Sequence, residues 1–492
     1  MVQGCLRLQL AIFQSQRFMP LKPAISKMRH LNHCLLIVAG LFALSGCTAH
    51  YTLNQKVEIT PGTPSLKNKL SSQERSDRLI LILAFSGGGT RAAALSYGVL
   101  EAMSRIELPD STESKEAKDP AKKHTLLDEV DLISSVSAGS FTAAYYGLYG
   151  EDIFKNFRSR FLIQNHQSVL VRGVANPFNW PKLLSPRFGR SDLAQEYFDS
   201  ILFKDATLGD LSKGKGPAIL ILATDAVDGL SFSFTPGQFE LICSDYDKFP
   251  VSRAVAASGA VPGLFSPVIL RNYAGQCNST APRWVKQALL KPDLTSRAYH
   301  MAVNINTYLD SETNPFIHLV DGGVSDNLGL RGLIDSITVR GGIRDALKDA
   351  GLRKTRRIAF VIVDAARKEK PQWRLGGDIP GLGDIIGLSS TIMINKYNFE
   401  TIDLLRRYIK EWYEEDVDVG RKPIDFYIIH VAFDYLPVKG ERDYFNEIPT
   451  NLNLSEEQVD KLRDVAQRLL YTSQPFRKLV RVMGGKIPAK SK

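Results

Sequence analysis

Cysteine is scarce in this chain, five among 492 residues, and no cysteines or histidines fall at the short spacings that hold zinc. No basic run is interleaved with aromatics, so nothing in the sequence asks for nucleic acid as a partner. No internal repeat is visible, which sets aside solenoids and propellers. Long apolar runs are missing as well: the apolar core within residues 28–47 is too short to span a bilayer comfortably. Acidic residues are absent from residues 1–46, which hold five basic ones, Arg7, Arg17, Lys22, Lys27 and Arg29. What remains is ordinary globular material, 44% apolar and 23% charged, long enough for one large α/β domain with additions or for several smaller ones. The net charge of +10 falls to +5 without the first 46 residues, a mild excess suited to anionic lipid headgroups.

The N-terminal segment MRHLNHCLLIVAGLFALSGC, residues 28–47, joins a basic start to an apolar core and small residues before a cysteine. It resembles a bacterial lipoprotein signal with Leu44-Ser45-Gly46-Cys47 as its lipobox. That resemblance implies cleavage after residue 46, a lipid on the Cys47 sulfur, and a translation start at Met28. Thr48 follows Cys47 where an aspartate would favour inner-membrane retention, so the expected location is the outer membrane, facing the periplasm. Residues 47–78 then read as the lipidated cysteine and a polar, flexible tether. Of the cysteines left, Cys243 and Cys277 are an even pair in an oxidising compartment, open to a disulfide or to two separate thiols.

The folded part begins with Leu79–Phe85, an apolar run of strand length followed by a glycine turn and an Ala-rich helical pattern. Further apolar strands at 218–224, 317–320, 358–363 and 426–433 alternate with helical patterns. Such alternation predicts a parallel-rich sheet covered by helices on both faces. Residues 397–412 predict a helix packed on the core, and Ser455 with Gln458 forms a capping pattern before an amphipathic helix.

Three separated pieces carry candidate chemistry. Ser86-Gly87-Gly88-Gly89-Thr90-Arg91 is a glycine turn between strand and helix, whose backbone N–H groups can point into one concavity and hold an anion. It has no Gly-Lys-Ser/Thr ending to support a nucleotide loop. Ser135-Val136-Ser137-Ala138-Gly139 sits where a strand hands over to a helix, and fits either a serine N-cap or a nucleophile elbow centred on Ser137. Asp321-Gly322-Gly323 ends a strand with a carboxylate, and fits either an Asp-Gly turn or an acid placed for chemistry. His430, downstream of both, offers an alternative triad partner but lies mid-strand. His318 reads as structural, and Asp225 and Asp364 at strand ends as turn residues.

Taken in this order, and with the small-residue segment Ala254–Phe265 between them, the pieces resemble the patatin-like phospholipase family. The resemblance covers roughly residues 79–335 and departs at Ser135, which replaces the first elbow glycine, and at Ala92. It implies a three-layer α/β fold, with residues 336–492 as a C-terminal α/β extension packed on the core. It also implies a serine acyl hydrolase acting on phospholipid or another acyl ester, without metal or organic cofactor. Ser137 is then the nucleophile and Asp321 its direct base. Gly87, Gly88 and Gly89 supply the oxyanion hole, and Arg91 orients the loop or contacts a lipid phosphate. Ser135, Gly139, Gly322 and Gly323 shape the two turns. The competing expectation is a lipid-binding scaffold that keeps the fold without turnover.

Overall fold

The computed structural model describes residues 53–57, 76, 78–109, 123–214, 216–368, 379 and 381–488, with 382–390 described by backbone alone. Cys47 and the signal segment lie outside the described residues. Eight strands form one sheet: β1 Leu79–Phe85, β2 Val130–Val136, β3 Ala218–Asp225, β4 Ser231–Ser233, β5 Val268–Arg271, β6 Phe316–Asp321, β7 Arg357–Asp364 and β8 Asp425–Ala432. Their order is β5-β6-β3-β2-β1-β7-β8, with β4 paired to β3. β1 is parallel to both β2 and β7, as are β2 to β3 and β7 to β8. β6 runs antiparallel to β3 and β5, and β4 antiparallel to β3.

The central strands are apolar throughout because both faces are covered. Along β1, Leu81, Leu83 and Phe85 enter one core while Ile82 and Ala84 enter the other. The same two-residue period divides β7, with Ala359, Val361 and Val363 on the first face and Ile358, Phe360 and Ile362 on the second. The first face carries helices α1 Gly89–Ser104, α2 Ala138–Tyr149, α3 His166–Ala175, α4 Arg190–Phe198 and α5 Val251–Ser258. The second is covered by the long helix α6 Leu382–Asp418, through Ile402, Leu405 and Trp412. This is the three-layer, mostly parallel α/β architecture that the strand and helix patterns predict.

The residues beyond 335 do more than pack on a finished core. They supply β7, the neighbour of β1 inside the sheet, and β8 at its edge. Helix α7 Glu456–Thr472 opens with the expected capping box, Ser455 Oγ accepting the Gln458 N–H at 3.2 Å. It crosses α1 so closely that a Cβ on Gly98 would lie 2.7 Å from the Arg463 carbonyl. Among the described residues no helix is long and apolar enough to cross a membrane.

Two sequence expectations change here. Residues 53–57, read as part of the flexible tether, are docked on the body. Asn54 Oδ1 accepts the Arg271 N–H at 2.6 Å and its Nδ2 donates to the Arg271 carbonyl at 3.0 Å, so one amide satisfies an edge-strand peptide. Cys243 and Cys277, left open between two thiols and a disulfide, are joined in a disulfide.

Candidate active site

The ends of β1, β2 and β6 converge on one point. β2 stops at Val136, and Ser137 takes φ 52° and ψ −127° before α2 begins at Ala138. A non-glycine residue there stores about 1–3 kcal/mol of strain and persists only where its surroundings hold it. The Ser137 N–H donates to Ser258 Oγ at 2.8 Å, and its carbonyl accepts the Ser140 N–H at 2.9 Å. Gly139 allows α2 to sit against the end of β1, since a Cβ there would lie 2.7 Å from the Ser86 carbonyl. Ser137 is therefore no side-chain cap of α2. Its hydroxyl points elsewhere.

That hydroxyl lies 2.6 Å from Asp321 Oδ2. The other carboxylate oxygen accepts the Gly323 N–H at 2.8 Å, and the Asp321 N–H donates to the Ala260 carbonyl at 2.9 Å. Gly322 is required by close approach, as a Cβ there would stand 2.5 Å from the Leu222 carbonyl. Burial pushes the Asp321 carboxyl up to about 6, against the opposing pull of the bonds from Ser137 and Gly323. The group thus titrates near neutrality, where a proton acceptor is useful.

Ser258, inside the small-residue segment Ala254–Phe265, ties both halves together. Its hydroxyl accepts from Ser137 N–H and donates to the Leu222 carbonyl at 2.6 Å, while its own carbonyl accepts the Gly322 N–H at 3.1 Å. Ser135, the departure from the elbow pattern, donates to the Leu220 carbonyl at 2.9 Å. Its polar atom is satisfied within the sheet, so the added side chain leaves the turn unobstructed.

The glycine turn faces Ser137. A Cβ on Gly87 would lie 3.2 Å from Ser137 Cβ and 3.8 Å from its Oγ. Of the three N–H groups expected to serve an oxyanion, that of Gly87 donates to the Asn327 carbonyl at 3.3 Å. Those of Gly88 and Gly89 make no hydrogen bond among the described residues, and both residues hold positive φ. The available donors are Gly88 and Gly89, not all three.

Arg91 takes the first of its two expected roles. Its guanidinium is buried and donates to the Ala365 carbonyl at 3.0 Å, the Ile448 carbonyl at 2.5 Å and Thr450 Oγ1 at 3.1 Å. Burial, with Arg367 nearby, pulls its pKa down to about 9. Every arm is engaged inside the protein, so it holds the loop and does not reach a lipid phosphate. Residues 448–451 continue this brace, the Asn451 carbonyl accepting the Thr90 N–H at 2.9 Å.

A buried amide chain also escaped sequence reasoning. Asn398 on α6 donates to Asp364 Oδ1 at 3.0 Å, which leaves its oxygen to accept Asn327 Nδ2 at 3.3 Å. Asn327 Oδ1 is thereby turned toward Gly87, where a Cβ would stand 2.8 Å away. Asp364 is a turn residue as expected, accepting the Ala366 N–H, but it also fixes these two amides. No sequence spacing connects positions 327, 364 and 398.

The histidines contribute no triad among the described residues. His430 Nε2 lies 3.4 Å from Asp364 Oδ2 and its Nδ1 3.3 Å from the Tyr435 hydroxyl. His166 contacts Tyr197 and the Phe161 carbonyl, and His124 contacts Glu129. A cavity of about 460 Å³ lined by Glu441, Tyr444, Lys461 and Arg468 includes none of the site residues.

A family model described as patatin-like phospholipase matches residues 83–334, just over half of the chain. The chain belongs to the patatin-like phospholipase family. The matched region of this patatin-like chain spans the glycine turn, the Ser137 elbow and Asp321. No curated protein sequence matches it. Among solved structures, human GIVD cytosolic phospholipase A2 is similar at 13% identity and a TM-score of 0.37, covering 85% of this chain and 65% of that one. The same human enzyme with methyl gamma-linolenyl fluorophosphonate gives 13% identity and a TM-score of 0.33, covering 85% and 62%. The chain thus spans a little under two thirds of those structures, and at this likeness neither activity nor ligand is carried across.

Proposed function

We propose that this protein is a membrane-tethered serine acyl hydrolase that cleaves phospholipid or a related acyl ester with a Ser137–Asp321 dyad. The observation that carries the reading is the 2.6 Å contact between Ser137 Oγ, on a strained strand-to-helix turn, and a buried carboxylate whose pKa is raised to about 6. Ser137 Oγ attacks the ester carbonyl carbon while its proton passes to Asp321 Oδ2. The N–H groups of Gly88 and Gly89, next to the positive end of α1, stabilise the oxyanion. The tetrahedral intermediate collapses, the leaving alkoxide takes the proton from Asp321, and an acyl-serine remains. Water attacks that ester, gives its proton to Asp321, and the serine oxygen recovers it on release of the fatty acid. Each step closes its proton balance without a histidine.

Family membership and the site geometry support this reading. Against the scaffold alternative stands the bond from Ser135, the departure in the elbow, to the Leu220 carbonyl, which keeps its hydroxyl inside the sheet. The tether rests on Cys47, which we infer to be lipidated and to hold the protein at the outer membrane. A fluorophosphonate probe tests the enzymatic reading: it should label the wild-type protein on Ser137, and Ser137→Ala should abolish labelling. A folded wild-type protein that takes no label would contradict it.

A further inference from the structure

From the middle of α3 to the start of α4 the chain turns several apolar side chains outward. Val171, Val174, Phe178, Trp180 and Leu184 are exposed, Phe178 at 84% and Leu184 at 72%. A single exposed leucine needs no explanation, but five large apolar side chains within fourteen residues do. Residues 166–190 contain no acidic residue and four basic ones, Arg172, Lys182, Arg187 and Arg190. Lys182 pairs with Glu196, whereas Arg187 and Arg190 are exposed and make no ion pair among the described residues. Exposed apolar groups interleaved with cations, in a segment without acidic residues of its own and with Glu196 alone reaching in to Lys182, match a surface that is apolar beneath and negative at its face.

Both ends of this segment are fastened to stretches of chain that run on to the site. At its start the Gln167 N–H donates to the Leu452 carbonyl, one residue beyond Asn451, whose backbone braces Gly89 and Thr90. At its end Ser191 bonds twice to Ser266, through its N–H at 3.2 Å and its hydroxyl at 2.5 Å. Ser266 lies seven residues past Gly259, where a Cβ would stand 4.0 Å from Ser137 Oγ. The segment is therefore anchored at one end to the chain that braces the glycine turn and at the other to the chain that follows Gly259.

We propose that residues 171–190 are the surface by which the protein seats on an anionic phospholipid bilayer, with Phe178, Trp180 and Leu184 entering the interface and Arg187 and Arg190 on the headgroups. The proposal rests on the reading of the site as a lipid acyl hydrolase only for its purpose, not for its physics. Seating here would place the site rim against the lipid that supplies the ester.

The test uses the full-length protein and vesicles of phosphatidylglycerol and phosphatidylcholine in equal parts, with bromine on the acyl chains. The chain has four tryptophans, so quenching is read as the difference between wild type and Trp180→Phe. Bromine should quench Trp180 in the mixed vesicles and far less in phosphatidylcholine alone. Replacing Arg187 and Arg190 together by Gln should lower the ratio of docked to undocked protein by about 30-fold. Absence of Trp180 quenching, or quenching indifferent to both lipid charge and the arginines, would overturn the proposal. So would a dimer in solution that Phe178→Ser dissolves, since a second copy would then cover the patch. Hydrolysis of a soluble short-chain ester, measured on the same samples, reports failure of the enzymatic reading separately and should be unchanged in Arg187→Gln.

Discussion

At the scale of single residues the site works through two costs held in place by neighbours. Asp321 is buried, and its carboxyl is pushed up to about 6, so the folded protein binds a proton there that the unfolded chain releases nearer 3.8. Folded-state proton binding exceeds that of the unfolded state across this window, so stability falls as pH rises from about 4 to 6 and the cost is complete above it. Asp321→Asn should therefore melt higher than wild type at pH 8, by about 3 kcal/mol at most, with the difference vanishing below about pH 4. A base must be unprotonated, so kcat/KM of the wild type should rise with pH along a one-proton limb centred near 6; a flat profile from pH 5 to 8 would count against Asp321. Ser137 carries the second cost in its φ of 52°. Glycine tolerates that backbone and alanine does not, so Ser137→Gly should be more stable than Ser137→Ala by about 1 kcal/mol in urea unfolding, although both lack the hydroxyl.

Among elements, the bracing of the glycine turn is the feature that the sequence hid. Arg91 stands beside the turn in sequence, but its acceptors, Ala365, Ile448 and Thr450, come from segments some 270 to 360 residues away. Only the folded chain brings them together. Arg91→Met would leave two buried carbonyls without donors, a loss of about 2–4 kcal/mol, and would loosen the loop that presents Gly88 and Gly89. Turnover should fall by up to about 100-fold, because small displacements of positioning groups carry such effects. Unchanged kcat with normal folding would show that the brace is irrelevant to the loop. By contrast β1, β3 and β7 were legible as apolar runs, and the Ser455 capping box as a four-residue pattern, because each signal is local. The reversed direction of β6, antiparallel to both β3 and β5, was not, since VILR and FIHLVD carry no mark of their neighbours' direction. The amide chain from Asp364 to Asn327 was hidden for the same reason as the Arg91 brace.

For the molecule as a whole, the family match ends at residue 334 but the sheet does not. β7 covers one edge of β1 along its full length, from Leu79 opposite Arg357 to Phe85 opposite Val363. A protein ended at residue 335 would expose that edge and strip α7 from α1, so it should aggregate or fail to fold when expressed. Recovery of a soluble, cooperatively melting fragment would contradict this. The docked residues 53–57 also shorten the tether: from Cys47 to Leu53 the chain reaches about 20 Å when fully extended. We propose that the lipid holds the body close to the membrane, leaving little room to wander. At the centre of the molecule, we propose, Ser137 and Asp321, in contact at 2.6 Å, act as one unit. Its most direct test is kcat/KM on one ester substrate for Ser137→Ala, Asp321→Asn and the double variant, each checked for native melting. All three should fall to the same residual rate, because members of a catalytic unit are non-additive. Independent, multiplying losses, or near wild-type activity in Asp321→Asn, would contradict it.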